Sequence, residues 1–141
     1  MNSDKVSETM AQEKAQVPGE ELEAWVKQQL AKAVQELTEK KLVESIVVEA
    51  KPAWVLPFVL LIGKIREQGR TDGFDWFIYG DAPTTVALSR VAVTPRDAAR
   101  HFALQWHLEA GRRGEAGAEL TRRAEALHEL VEEDSLWQSI D

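Results

Sequence analysis

The fold is decided by residues 58–79, which read FVLLIGKIREQGRTDGFDWFIY. Bulky and β-branched residues fill its first half, Gln68–Gly73 has the composition of a turn, and Phe74–Tyr79 is apolar again. An Asp-Gly pair inside such a turn is typical of a β-hairpin. Because successive strand residues point to opposite faces, we expect two sets of side chains in the returning strand: Phe74, Trp76 and Ile78 on one face, and Asp75, Phe77 and Tyr79 on the other.

Further strands lie on both sides of this hairpin. Residues 43–50 are rich in valine and isoleucine and predict a strand before it. Pro52 and Pro57 exclude one continuous helix through this region. A fourth short strand is expected near Thr85–Leu88 or Ser89–Val93. The sequence therefore predicts an antiparallel sheet of three to four strands.

Three helices complete the pattern. Apolar residues at three- and four-residue steps from Pro18 to about Lys40 predict an amphipathic helix. Thr94 followed by Pro95 predicts the start of a second helix, which runs to about Gly111. A third is expected over about 115–134. We predict an α+β fold in which the small sheet packs against an N-terminal helix and a C-terminal pair of helices, all on one face of the sheet.

Length and composition bound the function. The 141 residues fit one domain, predicted over 18–141, after a disordered tail over 1–17. The net charge of −7 argues against nucleic-acid binding, which depends on neutralising phosphates. The lack of cysteine excludes disulfides, thiolate metal sites and a cysteine nucleophile. Five tryptophans predict large core anchors, with Trp76 the one candidate for contact with a ligand or partner.

The compartment is predicted from two further features. Residues 1–16 contain no apolar segment of the kind a secretory signal needs. The most hydrophobic stretch, 53–63, is too short to cross a membrane as a helix. We therefore expect a cytoplasmic protein without membrane attachment.

The second predicted helix has two apolar faces. Ala99, Phe102 and Trp106 lie on the face expected to pack on the core. Leu104 and Leu108 project nearly opposite. Either the last helix covers these two leucines, or they belong to a dimer or partner surface.

The sequence contains no catalytic motif, and we predict no metal and no cofactor. No two of its three histidines have the three- or four-residue spacing of helical metal ligands. Phosphate-binding glycine loops and a serine nucleophile elbow are missing as well. The candidate binding residues are therefore single polar or aromatic side chains, taken from the Gly80–Thr85 loop, the strand before it and the second helix: Trp76, Asp81, Thr84, Asp97, Arg100 and His101.

Three blocks carry a resemblance to a known family. They are Trp-x-x-x-Gly-Asp-x-Pro-Thr at 76–84, Arg-His-Phe-x-Leu-x-Trp at 100–106 and Leu-Val-Glu-x-Asp-x-Leu-Trp at 130–137. From about Glu20 onward the chain resembles a family of small proteobacterial proteins classed as a domain of unknown function. The resemblance implies a free-standing bacterial cytosolic protein and transfers no catalytic role.

Two functions from different classes follow. The first is a non-enzymatic protein-binding module, such as an adaptor, inhibitor or immunity-like protein, whose acidic surface suits a basic partner. The second is a small-molecule-binding protein or small enzyme, whose site near Asp81, Arg100 and His101 includes Asp97 and is lined by Trp76 and Tyr79. The sequence leaves open whether the protein is a monomer or a homodimer.

Overall fold

A computed structural model of the chain describes residues 3–70 and 73–138, with side chains described from Gly19 onward. It contains three helices and four strands, joined by short 3-10 turns. The helices are α1 (Ser3–Glu39), α2 (Pro95–Arg113) and α3 (Ala118–Glu132). The strands are β1 (Val47–Leu56), β2 (Leu60–Glu67), β3 (Asp75–Gly80) and β4 (Thr85–Ala87). The predicted α+β class is confirmed.

The four strands form one antiparallel sheet in the order β1-β2-β3-β4. β1 begins four residues later than the strand predicted over 43–50 and ends six residues later, so the prediction is wrong for residues 43–46. β1 also runs through Pro52. The missing N–H of proline is tolerated because β1 is an edge strand, and an irregularity in register lies between Pro52 and Trp54. β1 then turns into β2 through Pro57–Val59, where Phe58 has a φ of 63°.

The sheet is covered on both faces, so the prediction of helices on one face is wrong. Trp76 and Ile78 of β3 pack with the buried residues of α2 and α3. Phe77, between them in sequence, packs with Ala33 and Leu37 of α1. The predicted alternation in β3 is therefore confirmed, and it gives each face of the sheet its own hydrophobic cluster.

The N-terminal helix packs through the predicted stripe. Ala33 and Leu37 are fully buried, and Val26 and Leu30 lie half-buried beside them. The helix itself spans Ser3–Glu39 and so includes the Pro18 at which the sequence predicts its start. The disordered tail over 1–17 and the single domain over 18–141 stay predictions, since side chains before Gly19 lie outside the described part of the chain.

The second helix begins as predicted. The Thr94 hydroxyl accepts a hydrogen bond from the backbone N–H of Asp97 at 3.1 Å, and Pro95 is the first helical residue. Gly114, with a φ of 62°, ends the helix one turn before α3 starts. Arg96 links the two helices by donating to the carbonyl of Val131 at 2.8 Å.

Two tryptophans join the edge strand to the end of the described chain. The rings of Trp54 and Trp137 stack with centroids 4.1 Å apart. The indole of Trp54 donates to the carbonyl of Leu136 and that of Trp137 to the carbonyl of Leu130, both at 2.9 Å. The stack and the Trp54 hydrogen bond hold residues 136 and 137 against β1, while the Trp137 hydrogen bond ties them to α3.

Among the described helices, none combines the length and apolar character needed to span a membrane.

Gly63 offers a test of the packing between the central strands. An added Cβ would lie 2.6 Å from the carbonyl oxygen of Lys51 and 2.6 Å from Cε1 of Phe77. We expect Gly63→Ala to destabilise the protein by about 1–3 kcal/mol, measured by urea unfolding, because this core has no space for a methyl group. Gly111→Ala is the matched control: nothing lies within 4 Å of its Cβ, and we expect a gain of about 0.5–1 kcal/mol from helix propensity. Equal effects of the two substitutions would contradict this packing.

Tyr79 provides a second test, because it is the single tyrosine of the chain. Burial, aided by the charge of Glu36, raises the pKa of its phenol above the ordinary 10.0. The neutral phenol is thus favoured in the folded state, so its contribution to stability is complete below about pH 10 and is lost as the pH rises through the folded pKa. Phenolate absorbance should show ionisation above pH 10.0. Glu36→Gln should lower this pKa, and a midpoint at or below the ordinary value in the folded chain would contradict the burial of Tyr79.

Candidate functional site

The outer face of α2 carries an exposed apolar pair. Leu104 and Leu108 are each 56% exposed and lie four residues apart, on the same face. The interpretation that α3 covers them is wrong, since α3 packs against α2 through its own buried residues elsewhere on the helix. The alternative, a dimer or partner surface, stays a prediction. We call Leu104 and Leu108 the leucine pair.

A groove of about 650 Å³ runs beside the leucine pair. Its walls come from α2, from the segment 90–93 that precedes α2, and from His128 of α3. Val93 on its rim is 88% exposed, the most exposed large apolar side chain among the described residues. The lining residues are Arg90, Val91, Ala92, Val93, Asp97, Arg100, His101, Ala103, Leu104, His107 and His128.

The charged groups of the groove are mainly basic. All three histidines of the chain line it, together with two arginines and one aspartate. Asp97 accepts a hydrogen bond from Arg100 at 2.7 Å, so its carboxylate is engaged with a guanidinium rather than with His101. Arg90 forms no hydrogen bond or ion pair with any described residue. This protein of net charge −7 therefore has a local basic surface here.

Two residues of β3 position the wall of the groove from behind. Asp75 is buried; its carboxylate accepts a hydrogen bond from Arg70 at 3.0 Å and another from the backbone N–H of Ser89 at 3.1 Å. Trp76 is 3% exposed and its indole donates to the carbonyl of Ala92 at 3.2 Å. Trp76 thus holds the wall from inside the core, instead of contacting a ligand directly.

Sequence reasoning missed the role of Asp75. The sequence feature that indicates its burial is a charged residue, Asp75, between Phe74 and Trp76, at the start of a strand that is otherwise apolar on both faces. A buried carboxylate needs hydrogen-bond donors, and here they come from the turn before β3 and from the segment that leads to α2.

The structure separates the remaining candidates from the groove. Asp81 pairs with Arg123 of α3 at 2.7 Å and is largely exposed. Trp76 and Tyr79 pack on opposite faces of the sheet, so one cleft cannot be lined by both. Of the six candidate binding residues, the groove brings together Asp97, Arg100 and His101.

Thr84 lines a second, smaller cleft of about 370 Å³, which includes Leu108 and the end of α2. There Arg112 and Arg113 both donate to Glu109, and these hydrogen bonds lower the pKa of its carboxyl. The side-chain oxygen of Gln105 is buried in this region without a partner among the described residues. The charged side chains Glu109, Arg112 and Arg113 of this cleft are therefore paired with one another.

The groove's chemistry suits binding better than catalysis. Within residues 3–70 and 73–138, no three His, Cys, Asp or Glu side chains are arranged to hold a metal ion. Its one carboxylate is already paired, whereas Arg90 and the exposed imidazoles of His107 and His128 face solvent. Such a surface can accept carboxylates or other anions next to apolar side chains.

Comparison with known proteins supports the resemblance at the level of a domain of unknown function. Neither the curated proteins nor the solved structures contain a match to this chain. Residues 20–137, which include all three sequence blocks, match one protein family. The chain therefore belongs to the family described as Domain of unknown function (DUF4826).

Proposed function

We propose that this chain is a non-enzymatic protein-binding module that binds its partner through the leucine pair and the adjoining groove. The observation that carries the proposal is the exposure of Leu104 and Leu108 on a helix whose opposite face is fully used by the core. Because the chain resembles a family of bacterial cytosolic proteins, the proposal includes that this protein is bacterial and cytoplasmic.

The apolar surface is large enough to contribute to binding. When a partner covers a half-exposed leucine, the buried apolar surface stabilises the complex by about 1 kcal/mol, at about 25 cal/mol per Å². The leucine pair provides two such contributions. Val91 and Val93 extend this surface across the groove. Apolar side chains at positions i and i+4 of a helix, beside a groove, are a common way of anchoring a segment of another protein.

Charge favours a different protein over a second copy as the occupant. A two-fold dimer places the same surface on both subunits. Contact through this surface would bring the groove of one subunit, which has an excess of one positive charge, against the same groove of the other, and like charges disfavour that arrangement. The homodimer is therefore an outcome of the test below rather than the proposal.

The enzyme or small-molecule alternative has less support. It requires Asp81, Arg100 and His101 to converge on one cleft. Asp81 is instead paired with Arg123, and Arg100 is paired with Asp97.

The test replaces the leucine pair without adding charge. We expect Leu104→Ser with Leu108→Ser to weaken partner binding about tenfold or more, because two apolar anchors are lost. Folding should be retained, since exposed substitutions change stability by about 0.5 kcal/mol or less. The measurement is quantitative affinity capture from a lysate of the source organism, followed by calorimetry on the purified partner.

The matched control is Leu42→Ser with Ile46→Ser, a second exposed apolar pair in the connection between α1 and β1. It should leave partner binding unchanged. If both double variants lose the partner equally, binding is non-specific and the proposal fails. If sedimentation shows a wild-type dimer that Leu104→Ser with Leu108→Ser dissociates, the occupant is a second copy and the proposal also fails.

A further inference from the structure

We infer that the partner presents an acidic amphipathic segment, whose apolar side chains cover the leucine pair and whose carboxylates enter the groove. The inference rests on the proposed function, because it names the chemistry of the partner at the same surface. The expectation of a basic partner depends on the net charge of the whole chain, and it stays a prediction for the surface outside the groove. For the groove itself we infer the opposite charge on the partner.

The first argument is the charge of the groove lining. Two arginines and one aspartate line the groove, which leaves one excess positive charge. Arg90 is exposed and has no partner among the described residues, so a carboxylate can approach its guanidinium without breaking a pair within that part of the chain. Guanidinium groups suit this role because their planar donors match the two oxygens of a carboxylate.

The second argument is the placement of the basic side chains relative to the apolar anchors. Arg100 and His101 lie one turn before Leu104 on α2, and His107 lies one turn after it. A partner helix laid along this face would therefore meet apolar contacts at its centre and the N–H donors of these basic side chains on its flank. Acidic residues three or four positions from an apolar anchor would reach those donors.

The experiment compares two synthetic peptides. Both are amphipathic helices with leucines at positions i and i+4; one has glutamates flanking the leucines and the other has glutamines at the same positions. We expect the glutamate peptide to bind the full chain about fivefold more tightly at low salt, which is the effect of two exposed ion pairs. Added salt should remove this difference.

Arg90→Gln provides the matched variant, with Arg122→Gln, an exposed arginine of α3 outside the groove, as its control. Arg90→Gln should weaken binding of the glutamate peptide about twofold, as expected for one of the two exposed charge pairs, and leave binding of the glutamine peptide unchanged. Arg122→Gln should change neither. Nuclear magnetic resonance signals of the three histidines should shift when the glutamate peptide binds.

The outcomes separate this inference from the proposed function. Equal affinity for the two peptides, or binding of neither, overturns the acidic partner, while the serine variants of the leucine pair still test the protein-binding surface independently. If inorganic phosphate binds the groove as tightly as the glutamate peptide does, the site is one for small anions and the inference is overturned. Loss of glutamate-peptide binding with Arg90→Gln, together with retained binding with Arg122→Gln, supports it.

Discussion

The two central strands bury side chains on both of their faces, and the rest of the molecule follows from that requirement. Leu61 and Phe77 are fully buried on one side, while Ile62 and Ile78 are fully buried on the other. A sheet with one solvent-exposed face would need only one layer of helices. Here both faces need cover, so α1 lies on one side and the C-terminal pair lies on the other.

That arrangement explains why α2 has a free face. Its buried residues fill the space between the sheet and α3, with Phe102 fully enclosed and Trp106 donating a hydrogen bond to Thr85 at the edge of the sheet. No further helix of the described chain lies outside α2. Leu104 and Leu108 therefore stay in solvent, beside a wall whose position is set by Asp75 and Trp76.

Local patterns predicted most of the elements, and contacts between distant residues account for the rest. The alternation in β3 and the cap at Thr94 depend on neighbours in sequence, so they can be read without a structure. Which face of the sheet α1 covers depends on packing between residues far apart, and so does the exposure of the leucine pair. Three of the candidate site residues reach the groove because they lie on one turn of α2. The role of Asp75 was missed because its partner Ser89 is 14 positions away.

The stacked pair of Trp54 and Trp137 has a consequence for the order in which the molecule can be assembled. A ribosome delivers β1 early and residue 137 late, and the two tryptophans are separated by more than half of the chain. The hairpin of β2 and β3 can pair as soon as it emerges, and α1 is already present to shield one side. The stacking partner of Trp54, and the carbonyl that accepts its indole hydrogen bond, are absent until the last turn arrives. The nascent chain therefore carries an unpartnered indole at its edge strand until synthesis is nearly complete, a stage at which unfinished domains are prone to aggregate.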